Sequence, residues 1–491
     1  MSSYYTATDH FVLLPALLLG LFACATLLFD FWVFPESKRR KHLAWFVLMG
    51  EVFASVAYLR QQLFLGQHGG ELQAFGGSLV IDQFSLYFHW IFVIATVIVV
   101  IMSYRYFEVR DEHHGEYYGL LLLAQCGMYF LASGQELVVL FVGLETMAIT
   151  FYVLVGMLKR DQRSNEAALK YFLLGGLSGG LLVYGFSLLY GMSGSTKLRE
   201  IGVAVANRGE GDTVLFLAIA TILAGLLFKI AAAPFHMWAP DTYEGAPTVV
   251  TAYLAVASKA ASLALMLRIL LGPLGTSREV WEPILAGAAL LSMTIGNIAA
   301  VTQTNTKRLL AYSSINHAGY ILLGVVAGNQ TGIQGVLVYM LVYVFMTLGA
   351  FLVLTVLCRE STTGEDMNDL RGLMKRNPAH AIWMLIFLLS LAGIPPTAGF
   401  IGKYFIFLSL IETGHYYLAA AAAIYVAVAI FYYFRMVKSM FVEEEEAGAP
   451  ALALSLSMGT RVALVATGVM TLAIGIYPEP FVKFAQQTLV R

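Results

Sequence analysis

The sequence predicts an all-α polytopic membrane protein with about fourteen transmembrane helices, each needing about 20 apolar residues to cross a bilayer. Three observations predict it. Of 491 residues, 59% are hydrophobic and only 12% charged, whereas soluble domains average about 45–50% apolar and about 25% charged. So little charge cannot coat a water-soluble globule of this size, so lipid must solvate most of the surface. Long apolar runs recur along the whole chain, and the cations between them alternate from connection to connection.

The first run, Phe11–Val33, is too long for the apolar region of a signal peptide and has no basic segment before it, so it reads as a first span rather than a cleaved leader. The spans centre near Leu19, Ala54, Ala95, Gln125, Thr146, Gly180, Leu223, Ala257, Ser292, Leu323, Tyr343, Ser390, Ala427 and Thr471. The run before Gly134 is short, and the runs near Lys229 and Pro395 are interrupted.

Loop charge orients the bundle. One set of alternate connections carries Lys38, Arg39, Arg40 and Lys41; Arg105 and Arg110; Lys159, Arg160 and Arg163; Lys307 and Arg308; Arg359, Arg371, Lys375 and Arg376; and Arg435, Lys438 and Arg461. The other set carries Arg60, Lys197, Arg199, Arg208, Arg268, Arg278, Lys483 and Arg491. Eighteen cations against eight is a positive-inside bias. It places both termini on the non-cytoplasmic side and favours an even span count. The acidic run Glu443–Glu446 then falls on a cytoplasmic connection and reads as a solvated loop.

Several function classes drop out. A net charge of −1 gives no basis for nucleic-acid binding. Cys24, Cys126 and Cys358 are far apart in apolar surroundings, without metal or iron–sulfur spacing. No dinucleotide-binding glycine fingerprint or P-loop is present.

The charges left inside the spans carry the functional signal. Lys170 lies near a helix start, but Lys229, Lys259 and Lys403 fall well inside apolar runs, and so does Glu145. Each costs about 2.5–3.5 kcal/mol to insert, on the order of 10 kcal/mol for the four before pairing. Snorkelling cannot easily rescue Lys229 in LAGLLFKIAAAPF or Lys259 in YLAVASKAASLAL. Such residues either glue helices together or mark an ion or proton path. An amine taken out of water releases its proton more readily, and a nearby carboxylate reverses that. Moving a carboxylate toward or away from a buried lysine therefore switches it between holding and releasing a proton. Glu145 is the candidate partner of Lys229, although sequence gives no distance. His317 lies among Tyr312, Ser313, Ser314, Asn316 and Tyr320. Both a packed, hydrogen-bonded histidine and a relay fit that polar cluster. Asp30, Glu51, Asp82 and His89 read as interfacial or structural.

Two spans should be broken. Pro234 follows Lys229 closely and ends its helix near Ala232, because proline lacks the backbone donor and clashes with the preceding turn. The second break is LAGIPPTAGFIGKYF, Leu391–Phe405, which contains Lys403. Irregular backbone at membrane depth survives only where it lines a cavity or is buried in protein. The breaks fall in spans 7 and 12. An odd separation of five turns related units upside down, which suggests inverted repeats over spans 4–8 and 9–13. The chain then divides into an N-terminal three-helix segment (1–115), a first repeat (116–275), a second inverted repeat (276–445) and a C-terminal helix (446–491). One detail fits poorly: Lys229 precedes its proline, while Lys403 follows its pair.

The segments GLETMAITFYVLVG (143–156), NEAALKYFLLGGLSGGLLVYG (165–185), FKIAAAPFHMWAPDTYEGAPTVVTAYLAVASKAA (228–261), TNTKRLLAYSSINHAGYILLG (304–324) and LSLAGIPPTAGFIGKYFIF (389–407) resemble the antiporter-like membrane subunits of proton-pumping NADH-quinone oxidoreductase, respiratory complex I. The first two look most like the N type, the bacterial counterpart of mitochondrial NADH dehydrogenase subunit 2. The motif through Pro234, His236, Trp238, Asp241, Gly245, Ala246, Pro247 and Lys259 is the most specific. The resemblance implies the inverted-repeat fold shared with Mrp-type sodium/proton antiporters. It implies a proton relay in which Glu145 modulates Lys229, Lys259 and His317 form the middle, and Lys403 is the far end. It implies no cofactor in this chain, with FMN, iron–sulfur clusters and quinone sites in partner subunits. The partners implied are an M-type antiporter-like neighbour and small A-, J- and K-type subunits, in a bacterial inner (cytoplasmic) membrane. The competing reading is a subunit of a stand-alone Mrp-type antiporter or of a hydrogenase-linked membrane complex.

Overall fold

A computed structural model describes residues 5–32, 41–109, 115–208, 211–357, 365–444 and 457–488. Lys38, Arg39, Arg40, Arg110, Cys358, Arg359, Glu445, Glu446 and Arg491 lie outside the described residues.

The chain folds as α1 (Ala7–Trp32), α2 (Lys41–His68), β1 (Leu72–Ala74), β2 (Leu79–Ile81), α3 (Gln83–Val109), α4 (Gly115–Ser133), α5 (Leu137–Val155), α6 (Gln162–Ser193), α7 (Leu198–Ala206), α8 (Thr213–Lys229), α9 (Trp238–Gly245), α10 (Thr248–Tyr253), α11 (Lys259–Leu271), α12 (Arg278–Thr302), α13 (Thr306–Ala327), α14 (Gln330–Leu357), α15 (Leu373–Arg376), α16 (Pro378–Ala392), α17 (Ala398–Glu412), α18 (Tyr416–Phe441), α19 (Met458–Ile476) and α20 (Glu479–Gln487). A π-helical turn, Leu254–Ser258, joins α10 to α11 as one span. Among the described residues, eleven helices are long and apolar enough to cross a membrane. The other three predicted centres, Gln125, Leu223 and Ser390, lie on α4, α8 and α16. The predicted centre Leu323 sits near the C-terminal end of α13 rather than at its middle.

The small antiparallel ladder of β1 and β2 adds to the all-helical expectation. Each strand is only three residues long, too short to stand out from the flanking apolar runs. Beside it, Asp82 and Arg268 form a two-pronged ion pair at 2.8 and 2.9 Å, and Arg268 also donates to the Ala132 carbonyl. Burial alone would raise the Asp82 carboxyl, but the guanidinium reverses this and holds it below the usual carboxylate range.

Polar caps mark the helix ends. Asp161, Asp212 and Asn305 accept backbone N–H groups at the starts of α6, α8 and α13. Gly194, Gly328 and Gly393 close α6, α13 and α16 in the left-handed conformation. α13 and α14 are buried almost throughout, whereas α1, α6, α18 and α19 turn much of their apolar surface outward, as Leu21, Leu177 and Ile424 show. Outward-facing leucine and isoleucine are what lipid solvation requires. Most polar residues of α13, among them Ser313, Ser314, Asn316 and His317, are thereby enclosed by protein.

Both breaks fall where prolines place them: α8 stops at Lys229, and α16 and α17 part between Ala392 and Ala398. At the second, the first turn of α17 packs on the last of α16 with no room for a side chain. A Cβ on Gly399 would meet the Ser390 carbonyl oxygen at 1.8 Å, and the Gly399 N–H donates to Ser390 Oγ at 3.0 Å. Backbone cannot yield as a side chain can. Gly399→Ala is expected to destabilise the fold by about 1–3 kcal/mol, the usual cost of overpacking, measured as a lowered thermal midpoint in detergent.

Candidate functional site

α8 is apolar from Val214 to its last residue, and that residue is Lys229. Beyond it the chain unwinds, with Ala231 at φ 58°. The loosened backbone is satisfied from within the protein. Ala231 N–H donates to Phe228 O, Ala232 N–H to Leu227 O, and Ala233 N–H to Ser292 Oγ of α12. Trp238 Nε1 also donates to the Phe228 carbonyl. Lys229 is 4% exposed, and among the described residues its Nζ has no hydrogen-bond partner. Glu145, on α5, is half-buried, and its Oε1 also lacks a partner. That oxygen lies over α6 at Gly179, where a Cβ would approach it to 2.8 Å. Among the described residues no ion pair joins Glu145 to Lys229, yet the two charges lie within electrostatic reach.

Lys259 opens α11 directly after the π turn and is 3% exposed. Wide turns of this kind often occur at functional sites. Its Nζ donates to Ser314 O at 2.8 Å and Ser314 Oγ at 2.5 Å. Tyr343 OH donates to the same Ser314 Oγ at 3.0 Å, and Tyr243 OH lies 3.3 Å from it. One turn further along α13, His317 is wholly buried. Its Nδ1 lies 2.6 Å from Tyr339 OH and its Nε2 3.1 Å from Tyr433 OH. Tyr433 OH also bonds Ser313 Oγ. A hydroxyl gives one proton and takes another, so serine and tyrosine can pass a proton on.

Lys403, on α17, is 3% exposed. Its Nζ donates to Ala392 O at 2.8 Å and Leu391 O at 3.2 Å, the last carbonyls of α16. It also sits 5.0 Å from the Tyr320 ring centroid. A cation at a helix C-terminus meets the negative end of the helix dipole. This removes the mismatch between the two breaks. Lys229 ends its own half-helix, while Lys403 reaches back to the end of the preceding one.

The residues flagged around His317 divide. Ser314 serves Lys259, Ser313 serves Tyr433, and Asn316 binds Asn297 and Tyr432. Tyr320 donates to Ala422 O, while Tyr312 lies under Arg308. Among the described residues no direct hydrogen bond joins Lys229 to Lys259, Lys259 to His317, or His317 to Lys403. Lys170 lies aside, between Glu166 and Asp241 at 2.7 and 2.8 Å. Asp30 is in the last turns of α1. Glu51 and His89, however, are buried in the body of the bundle rather than at its interface. The sequence reading missed Tyr243, Tyr339, Tyr343 and Tyr433. A signal existed, since a tyrosine in a wholly buried run needs a partner for its hydroxyl.

Residues 134–429 match the family model described as NADH:quinone oxidoreductase/Mrp antiporter, TM. A relative from Solibacter usitatus named NADH-quinone oxidoreductase subunit N 2 is 60% identical, covering 100% of this chain and 99% of its own. A chain of respiratory complex I from Thermus thermophilus superposes with a TM-score of 0.79 at 33% identity, covering 96% of this chain and 99% of that one. A chain of the Mrp complex from a Dietzia species shares the fold, with a TM-score of 0.83 at 20% identity over 97% of each chain.

Ser314 gathers one lysine and two tyrosines on a single hydroxyl. Ser314→Ala leaves these donors short of an acceptor, and each unsatisfied buried group costs about 1–3 kcal/mol. The expected result is a lower thermal midpoint for the alanine variant, by thermal unfolding in detergent.

Proposed function

The chain belongs to the subunit N family of NADH-quinone oxidoreductases, within the NADH:quinone oxidoreductase/Mrp antiporter transmembrane family, and from that premise we propose that it translocates protons in such an oxidoreductase through Glu145, Lys229, Lys259, His317 and Lys403. The observation that carries this reading is Lys229: an amine sealed in apolar helix, at a helix break, with no hydrogen-bond partner among the described residues. A lysine retained only as glue would be paired, because an unpaired buried charge costs several kcal/mol.

The residues divide the work by environment. Glu145 approaching Lys229 favours the charged amine, and its withdrawal favours release. Lys259 holds a proton against Ser314, whose hydroxyl also meets Tyr343 and Tyr243. His317 offers two ring nitrogens between Tyr339 and Tyr433. Lys403 receives the proton at the carbonyl end of α16. Redox energy enters from partner subunits, which carry the flavin, the iron–sulfur clusters and the quinone site, and biases the Glu145–Lys229 state. The relay lies in two inverted units, 116–275 and 276–445, whose broken helices each bring a lysine to a half-helix end.

The protein is a multi-pass membrane protein, and we place it in a bacterial inner membrane with both termini non-cytoplasmic. Arg308, Arg371 and Lys375 pair with Asp241, Glu443 and Glu444 on connections of the cation-rich set. Arg268 and Arg278 pair with Asp82 and Glu282 on the other set. Its neighbours are an M-type antiporter-like subunit and the small A-, J- and K-type subunits.

Lys229→Ala should leave assembly intact and reduce NADH-driven proton uptake by inverted vesicles by about tenfold or more, the scale of losing a proton-transfer group. Normal pumping by the assembled variant would remove the role assigned to Lys229. Glu145→Gln should impair pumping in the same direction and Glu145→Asp less so, because aspartate keeps the charge. Sodium-driven proton exchange by the isolated chain without NADH would favour a stand-alone antiporter instead.

A further inference from the structure

We propose that Glu51 is a second proton-binding site, a carboxyl held neutral against Gln125 within the first helices and apart from the lysine line. It deepens the proton-translocating reading, but its occupancy at rest stands independently of it.

Glu51 lies near the middle of α2. Val47, Glu51, Ala54, Tyr58, Gln61 and Leu65 follow one another at spacings of four and three residues, and all six are buried. They form the inward stripe of a helix whose opposite face, with Trp45, Val52 and Leu63, is exposed and apolar. Glu51 is 1% exposed and cannot snorkel to water.

Gln125 of α4, also wholly buried, donates Nε2 to Glu51 Oε2 at 3.1 Å. The two oxygens left over, Glu51 Oε1 and Gln125 Oε1, are both buried without a donor. Among the described residues no cation pairs with Glu51. Ionised, the site would hold a negative charge stabilised by one neutral amide, which protein interiors resolve by protonating the group. One proton on Glu51 removes the charge and supplies the missing donor.

The groups around it are uncharged or weakly acidic. Tyr58 of the same helix lies within electrostatic reach, stacked against His89 of α3. α4 contributes Cys126 and Tyr129, with Cys24 of α1 beside Cys126. Tyr253 of α10 is also within electrostatic reach, its hydroxyl 2.9 Å from Thr96 Oγ1. Tyr253 lies six residues before Lys259 on one continuous span. A charge appearing on Glu51 is therefore felt on the helix that carries the central lysine. On release the Glu51 O–H bond breaks, its electron pair stays on the carboxylate and the proton passes to a water molecule admitted to the site during turnover, since the resting site is closed to solvent.

Infrared spectroscopy of the purified complex containing this chain tests the site. At rest, Glu51→Gln should remove one protonated-carboxyl C=O band, Gln125→Leu should displace it, and Glu51→Asp should keep a displaced one. During NADH turnover that band should weaken in the parent, and Glu51→Gln should pump protons at least about twofold more slowly at unchanged assembly. A protonated-carboxyl C=O region left unchanged by Glu51→Gln would overturn the proposal, since Glu51 would then be ionised at rest. A band unaltered by turnover would also overturn it, leaving a fixed structural acid. If Lys229→Ala pumps normally, the relay reading fails while the resting band still decides whether Glu51 carries a proton.

Discussion

A charged amine inside an apolar helix bundle has to be compensated locally, and much of this structure answers that constraint. Three lysines sit where bulk water cannot reach, each 3–4% exposed, and each meets the cost differently. Lys403 borrows the exposed carbonyls of a half-helix. Lys259 takes both oxygens of Ser314. Lys229 has neither, and only the nearby carboxylate of Glu145 offsets it. Among the described residues, Lys229 is thus the one of the three lysines whose Nζ has no hydrogen-bond acceptor.

A helix break supplies the compensation at Lys403. An unbroken transmembrane helix spends all its interior carbonyls on itself. The breaks beside the prolines leave backbone groups that the surrounding protein satisfies: Ser292 accepts the Ala233 N–H and Trp238 donates to the Phe228 carbonyl at one break, and Lys403 donates to the Ala392 carbonyl at the other. The enclosing helices matter equally. α13 and α14 are screened from lipid, so His317 and its tyrosines form a polar seam that lipid contact would not tolerate. Close packing keeps that seam narrow, as at Gly296, where a Cβ would meet the α13 backbone at 2.8 Å.

What could be read from sequence follows from which signals are local. Apolar runs, prolines and isolated charges are local, so the span centres, both breaks and the unusual position of each lysine were legible from residue order alone. Partners are not local. Ser314 lies 55 residues from Lys259 and Tyr433 lies 116 from His317, and periodicity carries no information on such pairs. Tyrosine was the main casualty, because it counts as an ordinary apolar residue in a hydropathy reading. Glu51 was misplaced for a related reason. It stands three residues from the span centre Ala54, but a lone carboxylate there carries no local sign of its partner or of the face that is enclosed. Only the packing of α2 against its neighbours shows which face is enclosed. The family assignment was legible because the motif around Pro234 and Lys259 is long and contiguous.

The central claim is that Lys229, Lys259, His317 and Lys403 belong to one connected path even though no direct hydrogen bond joins them among the described residues. Ordered water is the carrier that this account places in those gaps, beside the serine and tyrosine hydroxyls. A cryo-electron-microscopy map of the assembled complex, at a resolution that shows individual waters, tests this most directly. The account predicts waters bridging Lys229 Nζ to the Lys259–Ser314 pair, and others between Tyr339 and Lys403. Gaps filled by packed leucine and phenylalanine, with no water density in either, would contradict it.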